Sequence, residues 1–307
     1  MHVGRYAPTP SGELHLGNAR TALLAWLWAR ASGGRVLLRV EDLDQLRMRP
    51  GAEQRQRDEL AQLGLGWDGA IVRQSERGAL YDQAIARLVS GGLAYPCFCS
   101  RADVRAAASA PHGPEGPRYT GTCSELDPDE ATARVERGER ASLRFRVPAA
   151  PVEWRDALHG WQRDDLRTSA GDVVVRRSDG IVAYQLAVVV DDAAQGVTHV
   201  LRGDDLLAAT GRQIALREAL GLGPPPIHAH VPLLLGADGE RLAKRHGAVG
   251  VGELLDRGVT PGQLVGFLAW SAGLLPDERP VNAAELVEGF DPARLPREPF
   301  CVVSVPG

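Results

Sequence analysis

Arg5-Tyr6-Ala7-Pro8-Thr9-Pro10-Ser11-Gly12-Glu13-Leu14-His15-Leu16-Gly17-Asn18-Ala19-Arg20-Thr21 joins the end of a strand to the start of a helix. The strand is the short apolar run Val3 to Ala7. Two prolines and a glycine then interrupt regular structure, and His15 stands close to a second glycine, Gly17. Asn18 is a favoured N-cap, because its side chain accepts from the free N–H groups of a first helical turn. A helix is therefore expected from Asn18 to Ala31, with Ala19, Ala22, Leu23, Trp26, Leu27 and Ala29 at roughly helical spacing. Strand, tight turn and helix N-terminus aim N–H groups and a helix dipole at one point, which makes an anion site. A histidine beside that point has a ring N–H to offer a phosphate oxygen. The same pattern also fits an ordinary crossover with a surface histidine.

Ser32-Gly33-Gly34 ends the helix, and Arg35 to Val40 reads as a buried strand with Glu41-Asp42-Leu43-Asp44 at its carboxyl end. Strand, helix and strand over this length form a βαβ unit with a parallel sheet and a right-handed crossover. Ligands of such sheets sit at the carboxyl ends of the strands, so the first turn and Glu41 share one crevice. Pro50 to Leu63 and Glu76 to Val89 read as further helices, each closed by glycine.

The 35 basic residues are 34 arginines and a single lysine, Lys244, in the glycine-flanked basic loop Gly239 to Gly247. Arginine offers a planar fork, whereas lysine offers a compact, mobile point charge suited to following a phosphate. The alternative is that one lysine among so many arginines has no chemical meaning.

With 307 residues, 44% hydrophobic and 24% charged, the chain is an ordinary globular protein with material for a large core. No apolar run approaches the ~20 residues that span a bilayer, and no signal pattern is seen at the N-terminus. Four cysteines do not make a disulfide scaffold, so a reducing cytoplasm is expected. A net charge of −4 does not mark a general nucleic-acid binder, so any polyanion would have to meet a local arginine patch such as Arg134 to Arg146 or Arg163 to Arg177.

From Gly91 to about Gly180 the α/β pattern gives way to Gly/Pro-rich connections and short β-like pieces, Leu143 to Val147 and Val173 to Arg177, which reads as an insertion. Within it, Cys97, Cys99, Tyr119 and Cys123 place three thiols and a phenol within reach of one metal, and thiolate is the preferred ligand of structural zinc. His112 competes as fourth ligand, and reduced space-filling cysteines are the other reading. Cys301 reads as a free thiol. The α/β pattern returns with the apolar run Ile181 to Val190 and its Asp191-Asp192 end, then Val197 to Leu201, a helix from Asp205 to Leu220 and a strand from Val231 to Leu235. Val249 to Leu275 reads as helical, and the last thirty residues as Pro-broken chain without a clear element.

The stretch from Arg5 to Thr21 resembles the first signature of class I glutamyl-tRNA synthetases, and Arg241-Leu242-Ala243-Lys244-Arg245 resembles their Lys-Met-Ser-Lys-Ser/Arg loop. Asn18 stands where many class I enzymes have a second histidine, and Arg241 and Ala243 replace the loop's first lysine and its serine. Full-length members continue into a long anticodon-binding region, which this sequence does not show. The resemblance is therefore to the short paralogous family, the glutamyl-queuosine tRNA(Asp) synthetases. It implies an α/β fold with a Rossmann-type parallel sheet, a zinc-containing insertion and a short helical C-terminal part. The catalytic domain would comprise 1–90 and 181–240, the insertion 91–180, the lysine loop and helical part 241–275, and a tail 276–307.

It further implies His15 and Lys244 as catalytic residues, with Gly17 and Asn18 joining them at ATP. Arg5, Tyr6, Ala7, Pro8, Thr9, Glu41, Tyr184 and Arg202 would bind glutamate, and Cys97, Cys99, Tyr119 and Cys123 would bind Zn2+. ATP with Mg2+, L-glutamate and queuosine-containing tRNA(Asp) are the implied substrates, with activation independent of tRNA. A monomer without membrane partners is expected. The alternatives are a truncated glutamyl-tRNA synthetase charging a tRNA 3′ end, a small-molecule nucleotidyltransferase of the same superfamily, and a non-catalytic, zinc-stabilised RNA-binding module.

Overall fold

The computed structural model describes residues 1–107, 118–236, 238–240 and 250–305. The chain begins with β1 (Val3–Tyr6), α1 (Leu16–Ala31) and β2 (Arg35–Val40), and β1 and β2 pair in parallel from Val3 opposite Arg35 to Tyr6 opposite Leu38. The expected βαβ unit is present. Helix α1 is apolar on most of its circumference because it lies between the sheet and a later helix, and Leu16, Leu23, Leu24 and Leu27 are fully enclosed. After α1 the chain turns through Gly33 in the left-handed region. Gly34 then passes against the backbone of His2, where any side chain would collide.

Helix α2 (Ala52–Gln62) leads to β3 (Val72–Arg73), which adds to β2 in parallel, and then to α3 (Gly78–Ser90). A separate antiparallel sheet is formed by β4 (Ala94–Cys97) and β5 (Ser142–Phe145), with α4 (Arg101–Ala107) and α5 (Pro128–Glu136) between them in sequence. Next come the hairpin β6 (Val152–Asp156) and β7 (Gly160–Asp164), the short α6 (Leu166–Ser169), and β8 (Val173–Arg176), which pairs with β5.

The apolar run after Ile181 forms α7 (Tyr184–Ala194), and β9 (His199–Gly203), α8 (Thr210–Ala219) and β10 (Ile227–Val231) follow. Strand β10 runs parallel to both β9 and β6. Thr198, just before β9, exchanges hydrogen bonds with Val3: its N–H donates to the Val3 carbonyl at 2.9 Å, and its Oγ1 accepts from the Val3 N–H at 2.8 Å. The parallel strands therefore lie in the order β3, β2, β1, β9, β10, β6, with the chain reversing its order of addition between β1 and β9. That is the point where open α/β sheets place ligands.

After β11 (Leu234–Leu235) come α9 (Val251–Asp256) and α10 (Pro261–Ser271), which starts with a capping box between Thr260 and Gln263. The C-terminal stretch departs from expectation. It contains β12 (Phe300–Cys301), paired in parallel with β11, and buries Val281, Ala283, Leu295 and Val302 in the same core as α1 and α10. Its apolar residues are too sparse for a periodic signal, so only this docking reveals an ordered element.

Candidate active site

The carboxyl ends of β1, β2 and β9 open into a cavity of about 1480 Å³ lined by residues from Arg5 to Thr9, His15, Gly17, Asn18, Glu41, Tyr184 and Arg202. The structure brings together every expected ATP- and glutamate-site residue except Lys244, which lies outside the described residues. His112 lies outside them too.

At the first turn, the N-cap is not Asn18. Helix α1 starts at Leu16, and the Nδ1 of His15 accepts from the Asn18 N–H at 3.2 Å. The helix starts earlier because Leu14 and His15 are fixed by contacts to remote chain. Gly250 forms an isolated antiparallel bridge with His15, and the Val251 N–H donates to the Leu14 carbonyl at 2.8 Å. An accepting Nδ1 makes Nε2 the protonated nitrogen, and therefore the one with a hydrogen for a phosphate. A Cβ on Gly17 would lie 3.2 Å from His15 Nδ1 and 3.3 Å from Cε1, so glycine leaves the ring its place.

Two buried side chains of α2 hold this turn, and neither was legible as functional. Gln56 Nε2 donates to the Gly12 carbonyl at 2.7 Å. Glu59 Oε2 accepts from the Leu14 N–H at 2.9 Å while its Oε1 accepts from the Gly252 N–H at 3.2 Å. Burial raises the Glu59 carboxyl above its ordinary range, against these two backbone donors. The available signal was a pair of polar residues on the core-facing side of a helix.

Behind the cavity wall formed by Arg5, Glu41 and Gln74 lies a charge network. Arg39, fully buried, donates to Asp192 Oδ1 at 2.7 Å and lies 3.5 Å from Glu41 and 3.8 Å from Asp191. Arg5 reaches Asp192 at 3.4 Å. Asp191 is also taken by Arg77 at 2.6 Å, Gln74 at 2.8 Å and the Tyr81 hydroxyl at 2.8 Å. Burial raises the Glu41 carboxyl, while Arg39 and Arg5 pull it back. Arg39, Gln74, Asp191 and Asp192 were not among the expected site residues. Their signal was charge or amide inside otherwise apolar segments.

Arg202 is held differently from Arg5 and Arg39, which reach Asp192. It is 4% exposed, yet no carboxylate lies within ion-pair distance of it among the described residues. Its donors go to His230 Nε2 at 2.9 Å, Gln213 Oε1 at 2.8 Å and Thr210 Oγ1 at 2.9 Å, all neutral acceptors. Burial lowers its pKa, the direction expected of an under-compensated cation. A buried cation held by neutral groups at a cavity wall is arranged to receive an anion.

On the other side, Cys97, Cys99 and Cys123 place their sulfurs within 4.8 Å of one another, with Cys99 and Cys123 3.6 Å apart and no disulfide. Sulfurs on a tetrahedral ion lie about 3.8 Å apart for metal–sulfur bonds of about 2.3 Å, so the spacing fits. The hydroxyl of Tyr119, the expected fourth ligand, is 3.4 Å from Cys97 Sγ and accepts from the Cys123 N–H at 2.8 Å. Arg144 stacks 3.8 Å from the Tyr119 ring and donates from Nε to Cys97 Sγ at 3.3 Å, a cation supporting thiolate charge. Cys301 is exposed, away from this cluster.

Residues 2–288 match the family described as tRNA synthetases class I (E and Q), catalytic domain. A glutamyl-Q tRNA(Asp) synthetase of Symbiobacterium thermophilum is 54% identical, covering 97% of this chain and 95% of the relative. One of Nocardia farcinica is 55% identical over 97% of this chain and 92% of the relative. The chain belongs to the class I tRNA synthetase family, in its glutamyl-Q tRNA(Asp) synthetase branch. Among solved structures of the family, the glutamate-tRNA synthetase of Elizabethkingia anophelis superposes with a TM-score of 0.86 at 26% identity, covering 99% of this chain and 68% of that one. A glutamate tRNA ligase of Elizabethkingia meningosepticum, solved in complex with its amino acid, gives 0.84 at 26% identity over 98% of this chain and 66% of that one. Among the described residues, no helix is long and apolar enough to cross a membrane.

Proposed function

We propose that the protein activates L-glutamate with ATP, without tRNA, and transfers the glutamyl group to the queuosine base of tRNA(Asp). The observation that carries this reading is Arg202, a buried cation with no acidic partner among the described residues, in one cavity with Glu41 and His15. The names of the relatives at 54% and 55% identity support the acceptor.

In the first step an oxygen of the glutamate α-carboxylate attacks the α-phosphorus of ATP, and the bond to pyrophosphate breaks. Charge grows on the phosphates, where fixed donors are usually the largest catalytic contribution. We assign that role to His15 Nε2–H, the α1 N-terminus with Gly17 and Asn18, and Lys244. The bridge from His15 to Gly250 supports the last assignment, since Gly250 closes the segment that carries Lys244. ATP enters with Mg2+. Arg202, with Arg5 and Tyr184, receives the side-chain carboxylate, and Glu41 the ammonium. Tyr6 to Thr9 form the adjoining wall. A neutral amide leaves Arg202 without its anion, which selects glutamate over glutamine. In the second step a sugar-like hydroxyl of queuosine attacks the acyl carbon, an ester forms, the hydroxyl proton is released and AMP leaves.

The metal assigned to Cys97, Cys99, Tyr119 and Cys123 is zinc, which would supply structural cross-linking beside the separate β4-β5-β8 sheet; of the expected insertion 91–180, β6 and β7 belong instead to the catalytic sheet through β10. We place the protein in the cytoplasm, where thiols stay reduced, and as a monomer.

The test is glutamate-dependent ATP–pyrophosphate exchange without tRNA, followed by labelling of tRNA(Asp) with and without queuosine. Exchange without tRNA and label confined to queuosine-containing tRNA is the expected result. A glutamate–tRNA ligase of Halorhodospira halophila, 43% identical to this chain, supports a second reading, charging of a 3′ end. Label at the 3′ terminal ribose would establish it.

A further inference from the structure

We propose that Asp156 and His230 are positioning residues that fix the orientation of the Arg202 guanidinium for the side-chain carboxylate of glutamate. The proposal rests on the glutamate reading above and extends it to two residues outside the expected glutamate set.

The three residues come from three neighbouring strands. Arg202 on β9 is the register partner of His230 on β10, and Asp156 ends β6 on the far side of β10. All are buried: Asp156 and His230 are 0% exposed. Arg202 Nε has only a hydrogen to give, so His230 Nε2, 2.9 Å away, must present its lone pair. The ring proton therefore sits on Nδ1, which donates to Asp156 Oδ2 at 2.6 Å. Asp156 is in turn held by backbone. Its Oδ1 accepts from the N–H groups of Leu158 at 3.0 Å and His159 at 2.9 Å, in the turn between β6 and β7. Orientation thus passes from a backbone turn to a carboxylate, then to a histidine tautomer, then to the guanidinium.

Placing an imidazole between acid and base has a chemical consequence. A carboxylate in direct contact would neutralise Arg202, as Asp192 does for Arg39 at 2.7 Å. His230 fixes the direction of Arg202 and leaves its charge for the ligand. His230 and Thr210 together occupy the edge formed by Nε and Nη2, with Thr210 Oγ1 accepting at 2.9 Å. Nη1 meets Gln213 Oε1 at 2.8 Å and Nη2 also reaches the Leu206 carbonyl at 3.4 Å, so an incoming carboxylate competes at these two nitrogens only with neutral acceptors. Burial and the adjoining Arg202 push the His230 pKa down to about 4, so the ring is neutral under working conditions.

The decisive variant is Asp156→Asn. Its amide keeps an oxygen for the backbone N–H groups and turns an N–H2 towards His230, so Nδ1 becomes the acceptor and Nε2 the donor. A donor then faces the Arg202 Nε–H, the wrong-tautomer effect known from catalytic triads. In pyrophosphate exchange the glutamate KM should rise ~10- to 100-fold, the worth of a hydrogen bond to a charged group, with the ATP KM as in the wild type, while the buried donor–donor conflict lowers the thermal midpoint. Discrimination against glutamine should narrow. His230→Gln, whose amide oxygen can accept from Arg202, should retain more glutamate affinity than His230→Leu. An unchanged glutamate KM in Asp156→Asn overturns the proposal, and so does an equal rise in both KM values, which would mean general loosening. A wild-type protein without glutamate-dependent exchange, with or without tRNA, overturns the glutamate reading itself and this proposal with it.

Discussion

His15 and Gly250 lie opposite one another in an isolated antiparallel bridge, although 235 positions separate them by their numbers in the sequence. The bridge fastens the phosphate-type turn after β1 to the residue that closes the segment carrying Lys244. Glu59 secures both sides at once, one oxygen on the Leu14 N–H and the other on the Gly252 N–H. Two segments far apart in the chain, which the proposed function makes the two halves of an ATP site, therefore share one buried carboxylate.

Glu59→Gln tests that sharing. A carboxylate accepts at both oxygens, whereas an amide accepts at one and turns its N–H2 against the other backbone donor. The buried conflict should cost about 1–3 kcal/mol of stability. If the two halves cooperate at ATP, the ATP KM rises more than the glutamate KM. A loss of stability with both KM values unmoved would make Glu59 a scaffold residue alone.

The turn itself separates capping from catalysis. His15→Asn retains a good N-cap for the Asn18 N–H but removes the ring donor, so unfolding should be little changed while exchange falls roughly a hundredfold. His15→Ala removes both and should also lose about 1 kcal/mol of stability. Gly17→Ala is the complementary change. Alanine is intrinsically better in a helix by roughly 0.5–1 kcal/mol, yet its methyl would press on the His15 ring, so exchange should fall without a fall in thermal midpoint. Full activity in His15→Asn would remove the ring from the mechanism.

The thiol cluster predicts about one zinc ion per chain by elemental analysis, lost in Cys99→Ser and Cys123→Ser. Arg144 supports the cluster from outside, through Cys97 Sγ and the Tyr119 ring. Arg144→Gln should therefore weaken metal retention about tenfold or more in chelator competition, the usual penalty for a lost outer partner. Equal retention by wild type and variant would make Arg144 only a wall of the cavity.

The βαβ unit was legible because turn residues and apolar periodicity agree from Val3 to Val40. Of the chemistry-bearing residues that the sequence singled out, His15, Glu41 and Arg202 line one cavity, and Cys97, Cys99 and Cys123 form a cluster of their own. Residues acting through others were not legible. Asn18 is the better N-cap by composition, but the bridge to Gly250 starts the helix one turn earlier and gives the cap to His15. Helix α7 has an apolar run whose period does not separate a buried helix from a buried strand. Its assignment is clear only once Asp191 and Asp192 meet Arg77 and Arg39. Asp156 and His230 carry no local pattern, because their relation to Arg202 exists only across three strands. The same holds for β12, which is two residues long and takes its place from β11.

Acid should destabilise the fold through its buried histidines. Burial, the largest cause, lowers the pKa of His230 from 6.5 to about 4 and that of His228 well below 6.5, and Arg202 adds to both shifts. In the unfolded chain both titrate near the ordinary value, so below it the unfolded state holds protons that the native state refuses. Stability is then fully present above pH 6.5 and is lost as pH falls from there towards about 4. Between pH 6 and 5 the loss should be about 1 kcal/mol for each buried histidine. Urea unfolding at pH 7, 6 and 5 reads this directly. His230→Gln, which cannot titrate, should fall less steeply than the wild type over the same interval. Parallel curves for the two proteins would show that His230 is protonated in the native state, which its bond from Arg202 forbids.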